Sequence, residues 1–204
     1  MKALIIVDVQ NDFLPGGALA VPEGDRVIPV INKISKRFPV VVATQDWHPA
    51  THMSFAVNQP GDKRPFEEGI VGGVRQVLWP VHCVQGSDGA ALAAALDQEP
   101  VHAIIRKGTD PDIDSYSAFF DMQGKNSTGL DGYLRSRNVD EIYVSGLAAD
   151  VCVYFTIMDG LQLGYSCYLI EDASRAVEVE KGDYEKARQR MLQAGAKIID
   201  SERL

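Results

Sequence analysis

The chain is short of everything that would staple it, anchor it or bind it to nucleic acid. It holds three cysteines, Cys83, Cys152 and Cys167. An odd count without a CxxC pair supplies neither a disulfide framework nor a zinc knuckle. No apolar run approaches the ~18 residues of a membrane span. The opening stretch Ala3 to Val7 is cut off by Asp8, too soon for a signal-peptide core. Positive charge is also scarce: 20 basic residues face 28 acidic ones, a net charge of −8. That balance disfavours nucleic acid or anionic membrane as a general partner, though not a local basic pocket. The expectation is a soluble cytoplasmic protein. Common catalytic fingerprints are missing too. There is no GxGxxG after the first strand, no GxxxxGKS/T, no HExxH and no GxSxG. An ordinary dinucleotide enzyme or serine hydrolase is thereby disfavoured.

What is present suits one globular domain spanning 1–204. Its 204 residues are 46% hydrophobic and 24% charged, an ordinary composition that argues against disorder. A chain of this length buries roughly 70% of its unfolded surface, enough for an unstapled core. Short β-branched runs alternate with helical stretches. Strands are predicted at Ala3–Val7, Val40–Ala43, Val101–Arg106, Glu141–Ser145, Tyr165–Ile170 and Lys197–Ile199. Helices are predicted from Asp25, as cap, to Arg37, then near Asp131–Asn138, Asp150–Leu163 and Lys181–Ala194. Alternating strands and helices with near-continuous apolar strands predict a parallel sheet covered on both faces. The predicted fold is a three-layer α/β/α domain, Rossmann-like, with a mostly parallel six-stranded sheet. The region from about His48 to Gly89 is Gly- and Pro-rich and too long for a plain connection, and such loops are usually functional.

Ligands of open parallel sheets bind beyond the carboxyl ends of the strands. The strand ends here are Asp8, then Asp46 with His48, then Arg106-Lys107, then Ser145-Gly146 leading to Cys152. Four strands thus deliver an acid, an acid–His pair, a lysine and a cysteine to one rim. A free thiol, with pKa near ~8.5, is mostly protonated at neutral pH. A helix N-terminus and a cation lower that value. Cys152 is predicted in the first turn of its helix, with Lys107 one strand over and Asp8 placed to move a proton. First-turn N–H groups can receive an oxyanion. For each residue alone a structural role is the commoner one; their convergence favours chemistry. Asp46 and His48, two apart on an extended chain, face the same side and can share a metal, with His82 as third ligand. His52 ranks behind them as a fourth ligand or supporting group, and His102 reads as structural. Phe13 and Trp79 are placed to sandwich a flat ring and Tyr116 to close the pocket. Trp47 is predicted to turn away into packing.

These segments resemble the nicotinamidase/pyrazinamidase branch of the isochorismatase-like cysteine hydrolases along nearly the whole chain. The opening Asp8-Val9-Gln10-Asn11-Asp12-Phe13 resembles the branch's D-x-Q-x-D-F. Asp46-Trp47-His48-Pro49 with His52, Ser54 and Phe55 resembles its metal loop. Trp79-Pro80-Val81-His82-Cys83, with Gly86, resembles its W-P-x-H-C segment. Lys107-Gly108 with Tyr116-Ser117-Ala118-Phe119 resembles its lysine block. Ser145-Gly146-Leu147-Ala148-Ala149-Asp150-Val151-Cys152-Val153 resembles its nucleophile turn, with Ala149 in place of the usual Thr.

The resemblance implies a triad of Asp8, Lys107 and Cys152, and a divalent metal on Asp46, His48 and His82. Zinc is the first expectation, iron or manganese the next. It implies a cis peptide between Leu147 and Ala148, an oxyanion hole of the Ala148 and Cys152 N–H groups, and substrate contacts from Phe13, Trp79, Tyr116 and Leu147. The implied reaction is hydrolysis of nicotinamide, and of pyrazinamide, through a cysteine thioester in NAD salvage. The implied partner is a small pyridine carboxamide; a homo-oligomer is left open. Two alternatives remain: a related hydrolase acting on isochorismate or a carbamoyl or ureido compound, and a non-catalytic metal-binding scaffold.

Overall fold

A computed structural model describes residues 1–204. Its strands are β1 (Lys2–Val7), β2 (Val40–Asp46), β3 (Glu68–Val71), β4 (Val74–Val77), β5 (Ala103–Lys107), β6 (Glu141–Leu147), β7 (Ser166–Arg175) and β8 (Lys197–Ile199). The α-helices are α1 (Val27–Ser35), α2 (Leu130–Arg135), α3 (Cys152–Gln162) and α4 (Asp183–Gln193). Six strands form one parallel sheet in the order β5-β2-β1-β6-β7-β8. The sequence expectation of a mostly parallel six-stranded α/β sheet is thereby met.

Residues Ala3 to Val7 of β1 are fully buried. A strand at the middle of a parallel sheet, covered on both faces, has no solvent side, hence its unbroken apolar run. Each such Leu or Ile contributes roughly 1.5–3 kcal/mol by leaving water. Consecutive residues of β6 show the layering. The position a Gly160 side chain would take lies 2.7 Å from Ile142 Cδ1, so α3 presses on that face. Tyr143 points the other way and meets Phe38, just beyond α1, at 5.2 Å between ring centroids.

Several boundaries differ from the sequence expectation. Asp25 lies inside a 3-10 turn, Gly24–Arg26, and supplies no side-chain cap to α1. The strand expected from Val101 begins at Ala103 and ends on Lys107. In the long Gly- and Pro-rich region, β3 and β4 form an antiparallel hairpin that the sequence reading did not contain. Its residues mix exposed, half-buried and buried positions and carry no apolar run. The order of strands also corrects one expectation. Lys107 is not one strand from Cys152, because β2 and β1 lie between β5 and β6.

Candidate active site

The carboxyl ends of β1, β2, β5 and β6 meet beside the start of α3, and Asp8, Asp46, Lys107 and Cys152 gather there, all buried. The long Lys107 side chain spans the distance that strand order imposes. Its Nζ lies 2.9 Å from Asp8 Oδ2, pairs closely with Asp46 Oδ1, and reaches Cys152 Sγ at 3.4 Å. A further bond to the Ser115 carbonyl, 3.2 Å, holds it from the other side. One cation thus faces two carboxylates and a thiol. Burial opposes the Lys107 charge, but Asp46 and Asp8 outweigh it and hold the ammonium well above its usual pKa.

The two carboxylates diverge. Burial pushes Asp8 up to about 6 against the pull of Lys107. Asp46 is also buried, yet Lys107 and His48 hold it well below the usual carboxylate range. Neighbouring groups held apart in this way suit different tasks: one can trade a proton while the other stays ionised. Thr44 fixes Asp8 from behind, its hydroxyl donating to Oδ1 at 2.5 Å while accepting from the Asp8 N–H at 3.1 Å. Gln10 clamps the backbone of Asp46, donating to its carbonyl at 2.8 Å and accepting from its N–H at 2.8 Å.

Cys152 corrects the expectation of a lowered thiol pKa. Lys107 does pull it down, but burial is the larger effect, and with Asp8 and Asp46 it pushes the thiol well up. A carboxylate oxygen of Asp8 lies within 4.8 Å of Sγ.

The turn into α3 supplies free donors. Ala149 donates to the Arg175 carbonyl, while Val151 and Val153 both donate to that of Ala148. The Ala148 and Cys152 N–H groups have no such acceptor. The Leu147–Ala148 peptide is cis, as the resemblance implies. Gly146 precedes it at φ +115, and a Cβ there would stand 2.1 Å from the Val7 carbonyl oxygen. Only glycine allows β6 this approach to β1.

Opposite lie three histidines. The His48 Nδ1 faces the Gly108 carbonyl at 2.9 Å and the His82 Nδ1 faces the Pro80 carbonyl at 2.8 Å. With Nδ1 turned to a carbonyl, each ring turns its Nε2, the atom a metal would take, toward Asp46. These nitrogens stand 3.7 and 3.9 Å from Asp46 Oδ2. The spacing is one that an ion with bonds near ~2 Å can bridge with little adjustment. Burial, then His48, lowers His82 to about 4, whereas Asp46 outweighs burial and raises His48. Asp46, His48 and His82 thus fit a divalent cation in donor chemistry, orientation and spacing. His52 packs on His48 at 4.3 Å between centroids, and its Nδ1 accepts from the Ser54 N–H at 3.1 Å. A Cβ on Gly108 would stand 2.3 Å from the His48 ring, at a φ of +63.

Between the two groups opens a small, mainly apolar pocket. Phe13, Trp79, Tyr116, Ala148, Cys152, Asp46, His48 and His82 all line it. The Trp79 indole donates to the Tyr116 hydroxyl at 2.9 Å, fixing both. Leu147 is fully buried and is not part of this lining, because its strand has turned it into the core. Trp47 packs under the Arg106 guanidinium at 3.8 Å, away from the pocket. His102 accepts from the Val41 N–H, a structural task. The sequence reading gave no part to Asp114, Leu19, Val21, Val151 or Val177, which complete the wall. Asp114 stands two residues before Tyr116, and a buried acid there had no signal of its own.

The isochorismatase domain family matches residues 2–203. The chain belongs to the isochorismatase domain family. Within it, the chain is 47% identical to the nicotinamidase of Escherichia coli (strain K12) over 201 residues, 97% of this chain and 93% of that one. The structure of an Acinetobacter baumanii nicotinamidase/pyrazinamidase superposes with TM-score 0.95 at 46% identity, covering 99% and 97% of the two chains. That of a Pyrococcus horikoshii pyrazinamidase in complex with zinc superposes at 0.79 with 38% identity, covering 98% of each. The chain is accordingly an amidohydrolase of this family.

Proposed function

We propose that the chain is a single-domain nicotinamidase that converts nicotinamide to nicotinate and ammonia, and also accepts pyrazinamide, in NAD salvage in the cytoplasm. The observation that carries this reading is Lys107 bridging Asp8, Asp46 and the Cys152 thiol, with Asp46 and Cys152 in the wall of an aromatic pocket. Nearly full-length identity to a nicotinamidase supports the substrate.

In the proposed reaction Phe13 and Trp79 hold the ring, and Tyr116 closes the side. Asp8 takes the Cys152 proton as the sulfur attacks the carboxamide carbon. The carbonyl oxygen gains the charge and is received by the Ala148 and Cys152 N–H groups. Asp8 returns the proton to the departing nitrogen, which leaves as ammonia, and a thioester remains. A water then attacks with Asp8 as base. The C–S bond breaks, nicotinate forms and the thiol is restored. Lys107 holds Asp8 in place and steadies negative charge on sulfur. Asp46, His48 and His82 would hold a divalent ion, zinc first, which when bound supplies a Lewis acid to anchor and orient the ring nitrogen.

Carbamoyl and ureido substrates form the alternative, since they need the same three groups without a ring anchor. Ammonia release from nicotinamide, before and after chelation, separates the two. Release that stops on chelation and returns with zinc is the expected result. No release by the metal-loaded protein overturns the nicotinamide reading and turns attention to ureido compounds.

A further inference from the structure

A nicotinamidase makes a negative charge inside its own pocket and must then let it go. We propose that Asp114 is a specificity-determining residue that sets the pocket's charge so that the neutral amide is held and the carboxylate product is not. The proposal rests on the nicotinamide reading above.

Asp114 is 2% exposed and stands in the pocket wall with Asp46, His48, His82 and Cys152. Its carboxylate is held by two neutral donors. The Ser115 N–H donates to Oδ1 at 2.8 Å, and Gln76 Nε2, from β4, donates to Oδ2 at 2.6 Å. Such donors fix the group without cancelling its charge. No lysine or arginine pairs with it. The mechanism leaves this buried charge unused, and burying a charge without purpose is expensive.

Counting formal charges gives it a purpose. Lys107 sets one positive charge against Asp8 and Asp46. A divalent ion on Asp46, His48 and His82 adds two more. Three positive charges then face two carboxylates, and a pocket with that surplus would retain an anionic acid. Asp114 supplies the third carboxylate and brings the count to zero. A neutral amide is indifferent to that change to first order, whereas nicotinate is not. Across a buried distance of several ångströms one unit charge is worth roughly a tenfold change in affinity, even with generous screening.

The test compares Asp114→Asn with the wild type, both metal-loaded, with metal content checked by elemental analysis. Nicotinate binding is read by calorimetry and as product inhibition. We expect nicotinate affinity to rise by about tenfold relative to that for nicotinamide. Asp114→Glu, which keeps the charge, should keep the wild-type ratio of the two. Asp114→Ser replaces the Asn variant should that protein fail to fold. An unchanged nicotinate affinity in the uncharged variants overturns the proposal, as does equal weakening of both ligands, the mark of a merely structural role. Absence of nicotinamide hydrolysis by the wild type overturns the underlying reaction, and this inference with it. Hydrolysis with an unaltered product-to-substrate ratio in the variants overturns the role of Asp114 alone.

Discussion

The two walls of the site, one behind Cys152 and one holding the pocket's histidines, are built by different means. Asp8 and Lys107 sit at the ends of strands whose ladders fix them, and Cys152 opens a helix anchored on β6 and β7. His48 and His82 stand on irregular chain, and backbone carbonyls aim them, those of Gly108 and Pro80. A strand end gives position through the sheet. A loop must borrow it, residue by residue, from local hydrogen bonds. Damage to the first wall should therefore stop chemistry while the fold survives. Damage to the second should show first as lost metal.

The largest expected effect is on the first wall. Cys152→Ala should abolish ammonia release, a loss of at least about a thousandfold, with an unchanged circular dichroism spectrum; measurable turnover would sink the thioester scheme. On the second wall, His48→Ala should lose its divalent ion by elemental analysis and raise KM. A protein that kept full metal occupancy would erase the distinction between the walls. Gly108→Ala sharpens it without touching a donor atom. Its Cβ would press on the His48 ring, so metal affinity should fall by roughly 10–100-fold.

The pH profile probes Asp8. Its carboxylate must be ionised to take the thiol proton, and burial sets its pKa near about 6. Protonation removes the base, so kcat/KM should fall as pH drops through about 6 and hold steady above it. A profile flat to pH 4, far below that value, would dismiss Asp8 as the base. Thr44→Val, nearly isosteric, removes the hydroxyl that donates to Asp8. Losing one such bond is worth about 1 kcal/mol, so this acid limb should move upward by less than a unit. It is the smallest of the effects and the finest test of how firmly the strand-end wall is set.

The same contrast explains what was legible in the sequence. Asp8, Asp46 and Lys107 end strands whose apolar runs announce themselves, so their meeting at one rim followed from strand–helix alternation. The order of the strands did not, because Lys107 crosses two neighbours to reach Cys152, and a one-dimensional pattern carries no neighbour relation. The thiol's environment was misjudged for a related reason. A helix start and a nearby cation can be read from residue order, but the burial that outweighs them is a property of the packed molecule. The β3–β4 hairpin escaped notice because its strands are only four residues long and mixed in character. With it went Gln76, and so the hold on Asp114. Leu147 was assigned to the substrate by position in a motif, whereas the bend at Gly146 leaves it in the core.

The central position of β1 has a consequence for how the molecule is made. β1 pairs on one side with β2 and on the other with β6, a strand that starts at Glu141. Contacts so distant in sequence close slowly, because a long loop must be ordered before they repay it. Until β6 arrives, Asp8 has no Cys152 to serve, and an edge of β1 stays open to unwanted pairing. Catalytic competence therefore waits on that distant pairing, and its recovery during refolding should lag behind the recovery of helical signal.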